Sequence, residues 1–115
     1  MKTILFLALF FVSSAHASSE FVCSIIQAQK IYKDLQGQNI NDKTKHCVLS
    51  CHMALRCPSM EVWNLGVLKE IYDLFGDGNA EWADLAADRD GIVIATSRRA
   101  RTTAECYREC REIYP

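Results

Sequence analysis

Six cysteines, His46 and His52 are the residues best equipped for chemistry in the part of this 115-residue chain that follows its apolar leader. Cys47 and Cys51 are spaced i,i+4, and so are Cys106 and Cys110. On a helix that spacing puts both side chains of a pair on one face. Neighbouring cysteines on one face look across at a partner helix rather than at each other. The simplest arrangement joins the 47/51 pair to the 106/110 pair and leaves Cys23 to bond Cys57. Six cysteines allow 15 connectivities, so the spacing favours this pattern without excluding the others. Such bonds close long loops, each worth about 3–5 kcal/mol in a chain-entropy model. That is large beside the ~5–15 kcal/mol net stability of an ordinary domain.

Other chemistries compete for the same residues. Cys47-Val48-Leu49-Ser50-Cys51-His52 is one residue longer than a Cys-x-x-Cys-His haem attachment, with Met53 or Met60 as a second ligand. His46, Cys47, Cys51 and His52 are all metal-ligand types, but adjacent residues diverge on a helix and cannot all converge on one ion. Oxidation would also remove the thiolates a metal needs. No single cysteine stands out as an activated redox thiol. The stretch Asp73 to Asp84 partly fits a calcium loop, with Asp73, Asp77 and Asp84 as side-chain ligands and Asn79 through its carbonyl. Phe75 stands where that loop needs an oxygen, and a glycine-containing turn between helices explains the stretch equally well. No nucleophile elbow, phosphate loop or zinc-protease helix is present. His46 or His52 could serve as a general base, for example His52 with Asp84 or Asp88.

The leader sets the compartment. Lys2, the apolar run Ile4 to Val12 and Ala15-His16-Ala17 read as a secretory signal peptide over residues 1–17, with cleavage before Ser18. The run is too short to span a bilayer comfortably, and no later segment is apolar enough. Its single lysine and brevity have a bacterial character. Residues 18–115 then form one domain, secreted or periplasmic, where an even cysteine count means disulfides. Losing Lys2 leaves 12 basic against 14 acidic residues, a net charge of −2. That balance argues against a nucleic-acid partner, and the 50% hydrophobic content argues against a disordered chain.

The apolar periodicity predicts an all-α bundle of four to five helices. The first runs over residues 19–36, with Phe21, Ile25, Ala28, Tyr32 and Leu35 as its stripe. A second, capped by Asn41 or Asp42, carries Cys47, Val48, Cys51 and Leu55 and stops before Pro58. A third, capped by Ser59, is apolar on two faces (Met60, Trp63, Val67, Ile71 and Leu74; Leu65, Leu68, Tyr72 and Phe75), which predicts a central, buried element. Gly66 in its middle predicts a close helix crossing. After the turn Gly76 to Asn79, a fourth helix turns Trp82, Leu85 and Ala86 inward. It continues through Gly91 and Ile92-Val93-Ile94, since a lone strand there would have no partner. Thr102 to Glu105 matches a capping box for a last helix carrying Cys106, Tyr107, Cys110 and Ile113.

Charge is uneven. Residues 61–90 hold eight acids and two bases, whereas residues 98–111 hold five arginines and two glutamates. Arg98, Arg99, Arg101, Arg108 and Arg111 are solvated helix-face residues or, in the sharper reading, a docking site for an acidic partner or lipid head groups beside Tyr107 and Tyr114.

Lys45-His46-Cys47-x-x-Ser50-Cys51, then Cys57, Leu65-Gly66-x-x-Lys69-Glu70-x-x-Asp73, Asp84-Leu85-Ala86-Ala87-Asp88-x-x-Gly91 and Cys-x-x-x-Cys together resemble a domain of bacterial polymorphic toxins. That cysteine-bearing domain closes the C-terminal ends of proteins of the Rhs type. The resemblance spans about residues 43–110. Residues 69–91 also resemble the helical C-terminal half of serum amyloid A. The first likeness implies an exported effector, an antagonist of one, or a reused scaffold, and carries over no catalytic residue. Here the domain stands alone behind a signal peptide, where an Rhs-type domain ends a very large chain. It also implies a buried polar junction of Lys69, Glu70, Asp73 and Asp84 to Gly91 between the third and fourth helices. The expected function is a binding module for a protein partner or the cell envelope, with a small exported toxin or hydrolase as the alternative.

Overall fold

The computed structural model describes the backbone of residues 22–75 and 82–115 and the side chains of 22–71 and 82–115. The leader, the cleavage site, Phe21 and the turn with its Asn79 cap lie outside the described residues. Five helices are described: α1 (22–36), α2 (Asp42–Ala54), α3 (Ser59–Phe75), α4 (Trp82–Thr96) and α5 (Thr103–Ile113). No strand occurs among the described residues, and Ile92-Val93-Ile94 lie inside α4. No described helix is long and apolar enough to cross a membrane.

Side chains at the helix starts explain the boundaries. Asn41 Oδ1 accepts the Lys43 N–H at 2.8 Å, so Asn41 is the cap of α2 and Asp42 sits in its first turn. Ser59 opens α3 from within, because the Val62 N–H already reaches the Pro58 carbonyl at 3.2 Å. Thr102 Oγ1 accepts the Glu105 N–H at 3.2 Å, as the capping box predicts. Arg98 ends α4 in the left-handed region (φ 63°), and the Arg99 N–H closes back on the Ile94 carbonyl at 3.1 Å. That closure satisfies a carbonyl that would otherwise lack a partner.

The middle of the bundle is α2, not α3. Along α4 the buried residues Asp84, Ala87, Asp88, Gly91, Ile94 and Ala95 recur every three or four positions and face α2. Gly91 is the contact point: a Cβ there would lie 2.2 Å from the Cys47 carbonyl oxygen and 2.9 Å from the Cys51 nitrogen. The two backbones touch between the two cysteines, whose sulfurs turn aside to α5. Disulfides join Cys47 to Cys110 and Cys51 to Cys106, so α2 and α5 run antiparallel. A third, Cys23–Cys57, ties α1 to the α2–α3 connection. Val48, Ile94, Ala87, Ile31 and Leu35 fill the core around these bonds. A smaller cluster of Met53, Cys57 and Val62 lies beneath α1 and α3.

Three expectations fail here. The two-faced apolar helix, α3, is a flank, with Met60 68%, Leu68 49% and Ile71 47% exposed. The small residues of α4 approach α2 more closely than the bulky α3 can, so α4 takes the central seam. Trp82, expected inward, is 78% exposed. On α1 the expected stripe is largely outside: Val22, Ile25, Ile26 and Tyr32 are exposed, while Ser24, Ile31 and Leu35 are buried. Ile113 is exposed on α5 as well.

Gly91→Ala will push a methyl group into the α2 backbone, which cannot rotate away. A loss of about 1–3 kcal/mol is expected, measured by thermal or urea unfolding with the disulfides intact. An unchanged midpoint would mean that α4 does not rest on α2 at this point.

Candidate functional site

The crossing at Gly91 brings two i,i+4 pairs face to face. α2 presents His46 and Ser50, and α4 presents Asp84 and Asp88. His46 Nδ1 lies 3.5 Å from Asp88 Oδ1, and its Nε2 lies 3.3 Å from Asp84 Oδ2 and 3.7 Å from Asp42 Oδ2. Ser50 Oγ donates to Asp88 Oδ1 at 3.0 Å. The Lys43 ammonium is hydrogen-bonded to Asp84 Oδ1. From α3, Lys69 Nζ stands 3.4 Å from Glu70 Oε1 and 3.7 Å from Asp84 Oδ2. Glu70, Asp84, Asp88 and Ser50 are all buried. Gly66 makes the third approach: a Cβ there would lie 2.7 Å from Asp88 Oδ2.

These charges set one another's titration. Burial alone would lower the pKa of His46, but the Asp88 hydrogen bond and the charges of Asp88, Asp84 and Asp42 outweigh it and raise it above the ordinary 6.5. Both ring nitrogens face carboxylates, which favours the protonated form of the ring. Burial alone would raise Asp84, but the Lys43 hydrogen bond and the charges of His46, Lys43 and Lys69 hold it below 3.8.

Above this cluster, α1, α2 and α3 enclose a cleft of about 1090 Å³. Ala28, Leu49, Met53, Val62, Leu65 and Ile71 form its apolar walls, with Tyr32 at the α1 edge. His46, Ser50, Asp88 and Lys69 line its polar end. A smaller hollow of about 360 Å³ shares Ala28 and Tyr32 and extends over Gln29 and Lys33.

The other candidates fare differently. All six cysteines are bonded in pairs, which leaves no thiol for haem attachment and no thiolate for a metal. Of the calcium-turn residues, Asp84 has a described side chain, and it faces Lys43 and His46. The Asp73 side chain, Asp77 and Asn79 lie outside the described residues. Ligand atoms of Asp42, His46 and Asp84 lie within 4.8 Å of one another, a spacing open to a metal ion, but the Lys43 ammonium already fills that place. His52 does not meet Asp84 or Asp88; it packs against the start of α5, with Nδ1 2.6 Å from Thr103 Oγ1 and 3.1 Å from the Arg56 guanidinium. Burial first, then the charges of Arg56 and Lys30, push its pKa down to about 4, so the ring is neutral near pH 7.

All five arginines of residues 98–111 are exposed. Arg99 and Arg108 lie 3.4 and 3.6 Å from Glu109, and Arg111 stacks 5.4 Å over the Tyr107 ring. Tyr107 and Tyr114, expected as exposed contact residues, are half-buried: the Tyr107 hydroxyl accepts from Gln38 Nε2 at 3.2 Å, and the Tyr114 hydroxyl donates to Asp90 Oδ2 at 2.5 Å.

No known protein family, curated protein or solved structure matches this chain.

Two outcomes test the cluster. A raised His46 pKa stabilises the fold fully below pH 6.5, and that contribution fades as pH rises through the folded-state value. The lowered Asp84 pKa contributes above pH 3.8 and fades as pH falls through its own folded value. Stability should peak between the two, and His46→Gln should flatten the decline above pH 6.5; an identical pH profile for the variant would remove His46 from the network. Asp84→Ala leaves Lys43 and His46 facing a gap. Its expected cost is about 2–3 kcal/mol, less than for a fully buried pair because Lys43 is partly wet. Calorimetric melting at pH 6 measures it, and an unchanged midpoint would contradict the geometry.

Proposed function

We propose that this chain is an exported binding module that holds a small amphiphile in the cleft between α1, α2 and α3. One observation carries the reading: a largely apolar cleft of about 1090 Å³ ends on a short row of charged and hydroxyl side chains. Ligand sites commonly combine apolar walls with a few convergent polar groups. The cleft would bury an alkyl chain or ring system along Leu49, Met53 and Leu65. Three disulfides and a signal-type leader support delivery to an oxidising compartment.

The exported hydrolase reading needs a free histidine base. His46 offers neither nitrogen, since each faces a carboxylate, and His52 has no carboxylate partner among the described residues. An arginine-lined docking face for an acidic protein has weaker support, since Glu105 and Glu109 sit among those arginines.

The test uses the neutral fluorophore N-phenyl-1-naphthylamine with the oxidised protein. Saturable one-site enhancement is expected. Ala28→Trp, which fills the cleft from α1, should weaken binding by about tenfold or more, because an overfilled site excludes its ligand, with an unchanged circular dichroism spectrum. Non-saturable binding, or unaltered affinity in the folded variant, would overturn the reading.

A further inference from the structure

Asp88 is 6% exposed, yet its two oxygens are treated unequally. Oδ1 takes the Ser50 hydroxyl at 3.0 Å and faces His46 at 3.5 Å. Oδ2 has no hydrogen-bond donor among the described residues. Beside it stands Gly66, whose lack of a side chain lets α3 come so close that a Cβ there would lie 2.7 Å from that oxygen. Asp88 Oδ2 is not among the side-chain oxygens sealed from solvent without a partner, so it is open to the cleft that Asp88 lines. It lies at the polar end of the cleft.

The local charge has a sign. Four carboxylates (Asp42, Glu70, Asp84 and Asp88) are gathered with three cations: Lys43 and His46 of α2 and Lys69 of α3. Counted over the described residues, and with His46 taken as protonated, the carboxylates exceed the cations by one. Lys69 at the rim does not reverse this, since its ammonium stands between Glu70 and Asp84. Asp84 is engaged by Lys43 and His46, so the carboxylate with an open oxygen is Asp88.

We propose that the polar end of the cleft receives a primary ammonium group, so that the ligand is a cationic, single-chain amphiphile held by Asp88. This rests on the binding-module reading and specifies its ligand. An ammonium supplies three donors. One meets Asp88 Oδ2, a second can meet the acceptor lone pairs of the Ser50 hydroxyl, and the third faces the open cleft. A charge-assisted bond to a carboxylate is about twice as strong as a neutral one. An alcohol would satisfy Oδ2 but leave the excess charge. A fatty acid would bring a second carboxylate against Asp88.

The experiment is displacement of the bound neutral fluorophore by dodecylamine, dodecan-1-ol and dodecanoate, each below its aggregation threshold, at pH 7. Dodecylamine should displace the probe at about tenfold lower concentration than either other compound. Asp88→Asn, where folded by circular dichroism, should bring amine and alcohol to near parity. Equal or better displacement by dodecanoate or the alcohol overturns the ammonium assignment while leaving the cleft reading intact; failure of the probe to bind sinks the cleft reading itself. Undiminished amine preference in folded Asp88→Asn also overturns the assignment. If that variant does not fold, the three-compound series on the unmodified chain decides alone.

Discussion

The contact of Gly91 with the α2 backbone between Cys47 and Cys51 is the constraint on which the other features depend. It sets the separation of α2 and α4 below what any side chain would permit. At that separation, His46 and Ser50 meet Asp84 and Asp88 directly. It also decides where the cysteines point. With α4 against the α2 backbone, Cys47 and Cys51 have α5 as their partner. The antiparallel pairing with Cys110 and Cys106 then closes loops of 63 and 55 residues. Each closure removes about 4 kcal/mol of denatured-state freedom in a chain-entropy model. Cross-links of that size explain how a bundle this small can keep large apolar side chains on α1 and α3 in contact with solvent.

Much of the fold was legible in the sequence because the signals were local. The i,i+4 cysteine pairs imposed a shared helix face, and the cap residues Asn41 and Thr102 act within three residues of themselves. Gly66 and Gly91 interrupted apolar helices, which has few explanations besides close packing, and both turn out to sit against a neighbouring helix. Orientation was less legible. The apolar stripes of α1 and α3 announce amphipathic helices but not how much of each stripe is covered. Coverage depends on which helix reaches α2 first, and that is decided by Gly91 on another element. Trp82 misled for a related reason: helical phase placed it beside Leu85, but at the first position of α4 it extends past the end of the core.

The candidate site shows the same division. Most of its members, though not Lys43, could be named from the sequence, and the polar junction of Lys69, Glu70, Asp84 and Gly91 was expected from a resemblance. Their convergence with His46 and Ser50 was not. Neither histidine carries a mark in the sequence that separates the one lining the cleft from the one against Thr103. Only six positions separate them, yet 100° per residue turns them to different neighbours. The shifts diverge accordingly: His46 lies among carboxylates and is raised, while His52 lies beside Arg56 and is lowered to about 4.

A junction that served stability alone would gain little from this composition. Buried ion pairs roughly break even against well-packed apolar residues, because desolvation consumes the Coulombic gain. Such a junction would also be expected to match its charges and donors one for one. Among the described residues of this cluster the carboxylates outnumber the cations by one, and the oxygen without a donor is next to a glycine at the end of an apolar cleft. The small residue, the surplus charge and the opening coincide at Asp88 Oδ2. Stability does not require that coincidence, whereas a ligand that brings a positively charged donor would complete it.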